Sequence, residues 1–289
     1  MNPVSETEML SFGRLPELFV EYVRRSGPYT MGADHFHDYY EIYYMLSGKR
    51  IYFVKDRSYT VEQGDLVFIP RNELHKTLYA GEASHERVII HFDDRFPQAV
   101  SSLHASFLLS PFHQAGPVLR LPRQEQLMVD QLIRRTLTEI ECRRAGYEMV
   151  PAHTITELLL IAARYGQEND LSPLHHDTPL HSKISEIVRY INLHYAEPMK
   201  LASLSEFFYI SPYYLSRMFK EVTGFSFTDY LILTRIKEAQ RLLRESELKI
   251  TDIAAAVGFD NFSHFGKTFK KITRVSPRDY RKKEYGIVK

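Results

Sequence analysis

Residues 201–230 read LASLSEFFYISPYYLSRMFKEVTGFSFTDY, and residues 250–280 read ITDIAAAVGFDNFSHFGKTFKKITRVSPRDY. The two stretches are copies of one unit about fifty residues apart: Phe219-Lys220 aligns with Phe269-Lys270, Ser226 with Ser276, and Tyr230 with Tyr280. Each copy is a short apolar helix, a tight turn and a longer helix carrying basic residues. That is the helix-turn-helix pattern, whose second helix enters the DNA major groove. Two such units in tandem are expected to address two successive major-groove segments of double-stranded DNA.

Helix boundaries are marked by their caps. Ser211-Pro212 puts an N-cap serine before a proline at the first helical position, and Ser276-Pro277 repeats the device. Ser226 and Asp229 form a capping box at the start of the joining helix. Gly224 suits a helix C-terminus, and Gly258 a turn that needs a positive φ. Helical phase then separates inner from outer faces. In the first long helix Leu215, Met218, Phe219 and Val222 are expected inside, with Tyr213, Ser216, Arg217 and Lys220 outside. In the second, Phe262, Phe265, Phe269 and Ile272 are expected inside. Ser263, His264, Gly266, Lys267 and Lys270 are expected on the outer, DNA-binding side. Arg and Lys donate to guanine O6 and N7, while Ser and His donate to base edges or phosphates. A joining helix over about 227–244 would span about 27 Å, which suits two readers about one DNA turn apart.

Charge follows the same division. Residues 182–289 hold 19 Lys and Arg against 12 Asp and Glu, and residues 1–181 hold 18 against 24, so a basic C-terminal part follows an acidic one. Cys142 is the only cysteine, which excludes an intrachain disulfide and suits a reducing cytoplasm. No apolar run approaches the ~20 residues of a membrane span, and the N-terminus lacks the character of a signal peptide. No membrane partner is expected.

The N-terminal part changes period along its length. Residues 1–15 read as a polar arm. Over 16–98 the runs ELFVEYVRR, EIYYMLS, KRIYFVK, SYTVEQ, DLVFIP and RVIIHF read as short strands, with turns at Ser47-Gly48 and Gln63-Gly64-Asp65. An antiparallel barrel or sandwich follows. Residues 99–119 are ambiguous. Helices are expected from about 123 to 144, with Leu127, Leu132, Ile133, Leu137 and Ile140 on one face, and from about 149 to 167. The region 99–167 is assigned to dimerisation. Residues 168–182 read as a polar linker, whose His175, His176 and His181 are taken as solvated, and 183–289 as the helix-turn-helix domain.

Residues 183–283 resemble the AraC/XylS family of bacterial transcription regulators, most specifically in SPYYLSRMFKEVTG, TRIKEAQRLL, ITDIAAAVGFDNFSHFGKTFKK and SPRDYR. Ser205, Arg274, Gly266 and Lys267 depart from the family's usual residues. Residues 16–95 resemble the cupin fold, with His35, His37, Glu41 and Gly48 fitting its first motif and Gly64, Pro70 and His75 its second, where Asn72 replaces a glycine. His35, His37 and Glu41 share strand parity. Three imidazoles and a carboxylate suit a divalent metal, yet sensory cupins also keep them as pocket-lining groups, so no cofactor is required. Tyr43 and Met45 continue the same face, and Arg24 reads as a surface arginine.

The expected fold is α+β with two domains: a cupin-like barrel with a helical pair, then an all-α tandem helix-turn-helix domain. The expected function is cytoplasmic, sequence-specific transcription regulation, controlled by a small, sugar-like effector. A homodimer is expected, and RNA polymerase is a candidate partner. Two alternatives stay open: a cupin oxygenase or isomerase fused to a DNA-binding domain, and a barrel that serves only oligomerisation.

Overall fold

The computed structural model describes residues 7–27, 29–31, 36–82, 84–169 and 178–286. The chain divides into two compact units, 1–177 and 178–289.

Among the described residues of the first unit, nine strands form two antiparallel sheets: β1 (Thr7–Arg14), β2 (Leu18–Ser26), β3 (Tyr40–Ser47), β4 (Lys49–Val54), β5 (Arg57–Glu62), β6 (Leu66–Ile69), β7 (His75–Tyr79), β8 (Ser84–Phe92) and β9 (Val118–Leu119). The larger sheet runs β1-β2-β8-β3-β6-β9 and the smaller β5-β4-β7. The expected antiparallel β-domain is present, and among the described residues its hydrogen-bonded ladders form two sheets. Within the stretch read as a polar arm, the described residues form β1. Thr7–Arg14 pairs residue for residue with Leu18–Arg25 of β2. Leu10 and Phe12 alternate inward to pack on the core, while Met9 and Ser11 face solvent.

Strand β3 is buried at every position from Tyr40 to Leu46. Ile42, Tyr44 and Leu46 belong to one core cluster, shared with helices α3 (Arg123–Cys142) and α4 (Val150–Glu168). Tyr43 and Met45 belong to another, shared with Tyr52, Val54, Tyr59 and Val61 of the smaller sheet. The layers are thus helices, large sheet, small sheet. Gly48 turns the chain between β3 and β4 at φ 88°, and a Cβ there would meet the Ser84 carbonyl oxygen at 2.7 Å. The ambiguous region holds short helices α1 (Arg95–Val100) and α2 (Ala105–Leu108), a 3-10 turn and β9.

Helix α3 turns most of the expected face inward: Ile133 and Ile140 are buried and Leu137 packs on the core, while Leu127 is 47% exposed. Val129 and Thr136 are buried beside them. Thr136 is the polar member of that face. Its hydroxyl lies 2.9 Å from the Leu132 carbonyl and 2.8 Å from the Thr154 hydroxyl, so a polar residue occupies the packed face.

The second unit is helical: α5 (Pro179–His194), α6 (Leu201–Phe207), α7 (Pro212–Thr223), α8 (Phe227–Glu245), α9 (Ile250–Ala256), α10 (Phe262–Thr273) and α11 (Pro277–Gly286). Helix α5 begins inside the expected linker, because Thr178 caps it from Oγ1 to the His181 amide and Pro179 occupies the first turn. His181 is therefore helical and bonded to Thr178; His175 and His176 lie outside the described residues. Helix α8 has 19 residues, about 28 Å at 1.5 Å per residue.

The repeat distributes its left-handed positions unequally. Gly258 (φ 86°) makes the turn after α9, and Tyr209 (φ 56°) makes the one after α6. Gly224 (φ 79°) ends α7, and Arg274 (φ 67°) ends α10. An L side chain in that region costs about 1 kcal/mol. We expect Arg274→Gly to stabilise the second unit by about 0.5–1 kcal/mol in urea unfolding. A loss of stability would mean that the arginine side chain contributes more than its backbone strain costs.

Candidate effector site and nucleic-acid interface

On strands that face each other across the two sheets, one side-chain parity points into the space between. The Cα register opposes Glu41 of β3 to His91 of β8, and Val54 of β4 to His75 of β7. Glu41, 1% exposed, is the hub. Its Oε2 lies 3.1 Å from His37 Nε2, 2.9 Å from His91 Nε2 and 3.7 Å from His75 Nε2, and its Oε1 accepts from the Tyr52 hydroxyl at 2.7 Å. Tyr43 packs edge-on against Tyr52 with ring centroids 5.2 Å apart.

Backbone carbonyls set the tautomers. His37 Nδ1 donates to the Tyr39 carbonyl at 2.9 Å, and His75 Nδ1 to the Glu73 carbonyl at 2.8 Å. Each ring therefore turns Nε2 toward Glu41, and that nitrogen donates to the carboxylate only when the ring carries both protons. Burial alone would raise the Glu41 carboxyl; the charge of His75 and the hydrogen bonds from the imidazoles outweigh it and hold the group well below its usual range. Burial pushes the His37 imidazole down, partly opposed by the bond to Glu41. Desolvation, then Glu41, drives the Tyr52 hydroxyl well up, so it stays a donor.

Of the expected pocket residues, His37, Glu41 and His75 converge, and Tyr43 lines the same face. His35 lies outside the described residues. His91 belongs to the cluster although no sequence motif marks it; His37, Glu41 and His91 offer ligand atoms within 4.8 Å of one another. Its signal was parity alone, since Arg87, Ile89 and His91 alternate within RVIIHF. Arg24 is on the surface, 3.4 Å from Glu86.

In the second unit the expected faces are found. Leu215, Met218, Phe219 and Val222 are buried on α7, while Tyr213, Ser216, Arg217 and Lys220 are exposed. On α10 Phe265 and Phe269 are buried, Ser263, His264, Lys267 and Lys270 are exposed, and Gly266 is half-buried with open space where a Cβ would stand. Phe262, expected inside, is 51% exposed, and Ile272 is only partly covered. Phe262 sits directly after the N-cap Asn261, before the helix enters the core; Asn261 Oδ1 accepts from the His264 amide at 2.8 Å.

His85 lies on β8 at the same parity as His91 and titrates far from its usual range. Burial first, then Arg50, Arg87 and Arg25, lower it to about 4. A free histidine titrates near ~6.5. The unfolded chain therefore takes up a proton there between about 6.5 and 4 that the folded chain refuses. This contribution to stability is complete above that window and is lost on acidification through it. Urea unfolding across the window should show stability falling with pH, and His85→Gln should flatten the slope; an unchanged slope would assign the loss to other groups.

Residues 19–146 match the AraC-like ligand binding domain, and residues 204–283 match a helix-turn-helix domain. The HTH-type transcriptional activator RhaS of Escherichia coli O81 (strain ED1a) is 27% identical over 261 residues, 88% of this chain and 89% of that one. The regulatory protein PocR of Salmonella typhimurium (strain LT2) is 36% identical over 104 residues, 36% of this chain and 34% of its own. Among solved structures, the C-terminal domain of AraT, a response regulator from Geobacillus stearothermophilus, is 38% identical over 37% of this chain and 88% of that one, with a TM-score of 0.36. With a ligand-binding match on its β-rich part and a helix-turn-helix match on its basic one, the chain belongs to the AraC family of transcription regulators.

Proposed function

We propose that the chain is an effector-controlled transcription activator of the bacterial cytoplasm, working as a homodimer that reads promoter DNA and acts through RNA polymerase. One observation carries the DNA reading: α7 and α10 each bury one apolar face and expose a polar, basic one at matching helical phase. Tyr213, Ser216, Arg217 and Lys220 would contact one major-groove segment. Ser263, His264, Lys267 and Lys270 would contact the next, where Gly266 admits close backbone approach. Activation is supported by the likeness to RhaS over 88% of the chain. Dimerisation is supported by Leu127 and Met128, large apolar side chains that α3 leaves exposed.

The effector is a small polar, sugar-like metabolite held between the two sheets. Glu41, the histidines and Tyr52 supply the convergent acceptors and donors that such a ligand needs. A second reading rests on the same cluster. Two or three Nε2 atoms and a carboxylate, with backbone carbonyls fixing the His37 and His75 tautomers, fit a divalent cation. Chelation separates the two: it leaves the melting temperature and the effector response unchanged under the first reading and lowers both under the second.

Arg217 is exposed, and its ion pair with Glu221 at 4.0 Å constrains it little. Arg217→Ala should weaken binding to an operator selected in vitro by about 1–3 kcal/mol and relax preference at one base position. Equal losses on selected and scrambled DNA would make Arg217 a phosphate contact. Replacing His37 and His75 together with alanine should abolish the effector response and leave basal DNA binding intact. A double variant that responds normally would remove these rings from sensing.

A further inference from the structure

The space between the sheets has a second end, of opposite sign to the first. Arg50 on β4 shares the parity of Tyr52 and is 1% exposed. Its Nη2 donates to the Tyr29 carbonyl oxygen, but Nε and Nη1 have no hydrogen-bond partner among the described residues. Arg87 on β8 shares the parity of Ile89 and His91 and is 9% exposed. Its Nη2 lies 3.2 Å from Glu21 Oε1, while Nη1 is buried with no hydrogen-bond partner among the described residues. Arg25 is registered opposite His85 and stacks its guanidinium 3.8 Å from the centre of the Tyr29 ring; its Nε and His85 Nδ1 are buried with no hydrogen-bond partner among the described residues.

Among the described residues, three guanidinium groups therefore share this end with one ion-paired carboxylate, Glu21. The neighbouring Glu86 pairs with Arg24 instead, on the other face of the strand. Taking a guanidinium out of water is costly unless a counter-charge and hydrogen-bond acceptors replace the water. Stacking on Tyr29 and the 5.9 Å approach of Arg87 to the Tyr43 ring are weaker than the desolvation they would have to offset. The donors are a planar fork matched to a carboxylate or phosphate. Burial first, and then the charges of Arg50, Arg87 and Arg25, hold the His85 imidazole below its usual range.

We infer that Arg50, Arg87, Arg25 and His85 form an anion-binding subsite, which receives a carboxylate or phosphate group of the effector. The inference rests on the first unit being the effector domain. It also fixes orientation. Tyr43 and Tyr52 stand between this end and Glu41, whose charge repels an anion, so the acid group of the ligand goes to the arginines and its hydroxyls to Glu41 and the histidines. A sugar acid or sugar phosphate meets both demands; a neutral sugar leaves the guanidinium donors unmatched.

The test uses the full chain with 13C-labelled histidine, the His85 resonance being assigned with His85→Gln. Sodium phosphate and sodium acetate are titrated separately against sodium chloride at constant ionic strength. The expected result is a saturable His85 shift with one of the two anions, which identifies the group accepted, and a rise in the His85 titration midpoint. Arg50→Gln and Arg87→Gln should each weaken that binding at least tenfold, Arg50→Lys less, with circular dichroism confirming the fold. No saturable shift with either anion, or an equal shift in wild type and both glutamine variants, overturns the subsite. Anion binding without any effector-dependent change in DNA binding would leave the subsite standing and remove the proposed control.

Discussion

Strand β3 has no face to give to water, and the first unit is arranged around that constraint. Ile42, Tyr44 and Leu46 are covered by α3 and α4, while Glu41, Tyr43 and Met45 are covered by the smaller sheet. Because the side-chain period is two, a slip of one residue would drive Glu41 into the helical core and Tyr44 among the histidines. Two-sided burial therefore specifies register strongly. It also removes water from the ionisable side chains on the inner parity, so each must find a partner in the protein or in a ligand. Glu41 finds three imidazoles and a tyrosine hydroxyl. Among the described residues, Arg50 finds one carbonyl.

In the second unit the corresponding constraint is helical phase. Leu215, Met218, Phe219 and Val222 anchor α7, and Phe265 and Phe269 anchor α10, so the opposite faces must stand outward. Helix α8 buries Tyr230, Leu231, Ile236, Ala239 and Leu243 between the two units of the repeat and fixes their separation. Caps close each element locally: Ser211, Ser226, Asn261 and Ser276 each accept an amide three residues on.

Much of this was legible because it is local. The six strand runs, both long helices at 123–168 and the reading helices follow from period and punctuation. What escaped depends on partners distant in sequence. Strand β1 is too polar to announce itself and is held by its full-length ladder with β2. Division of the strands between two sheets is a matter of pairing, which no single strand records. Leu127 lost its inward place to a face that includes Thr136, whose hydroxyl is satisfied only once α4 is packed against it. His91 and Arg87 sit in an apolar strand where period two was visible but the destination of the inner face was not. Arg50, beside a glycine turn, reads as a surface residue until the second sheet covers it.

Helices α7 and α10 are proposed to read successive major-groove segments of one DNA site. Hydroxyl-radical footprinting of the full chain on an operator selected in vitro tests it most directly. Two protected segments on one face of the duplex, centred about 10 base pairs apart, are the result predicted for readers one helical turn apart. A single short protected segment, unchanged when Lys267 and Lys270 are both replaced by alanine, would contradict it.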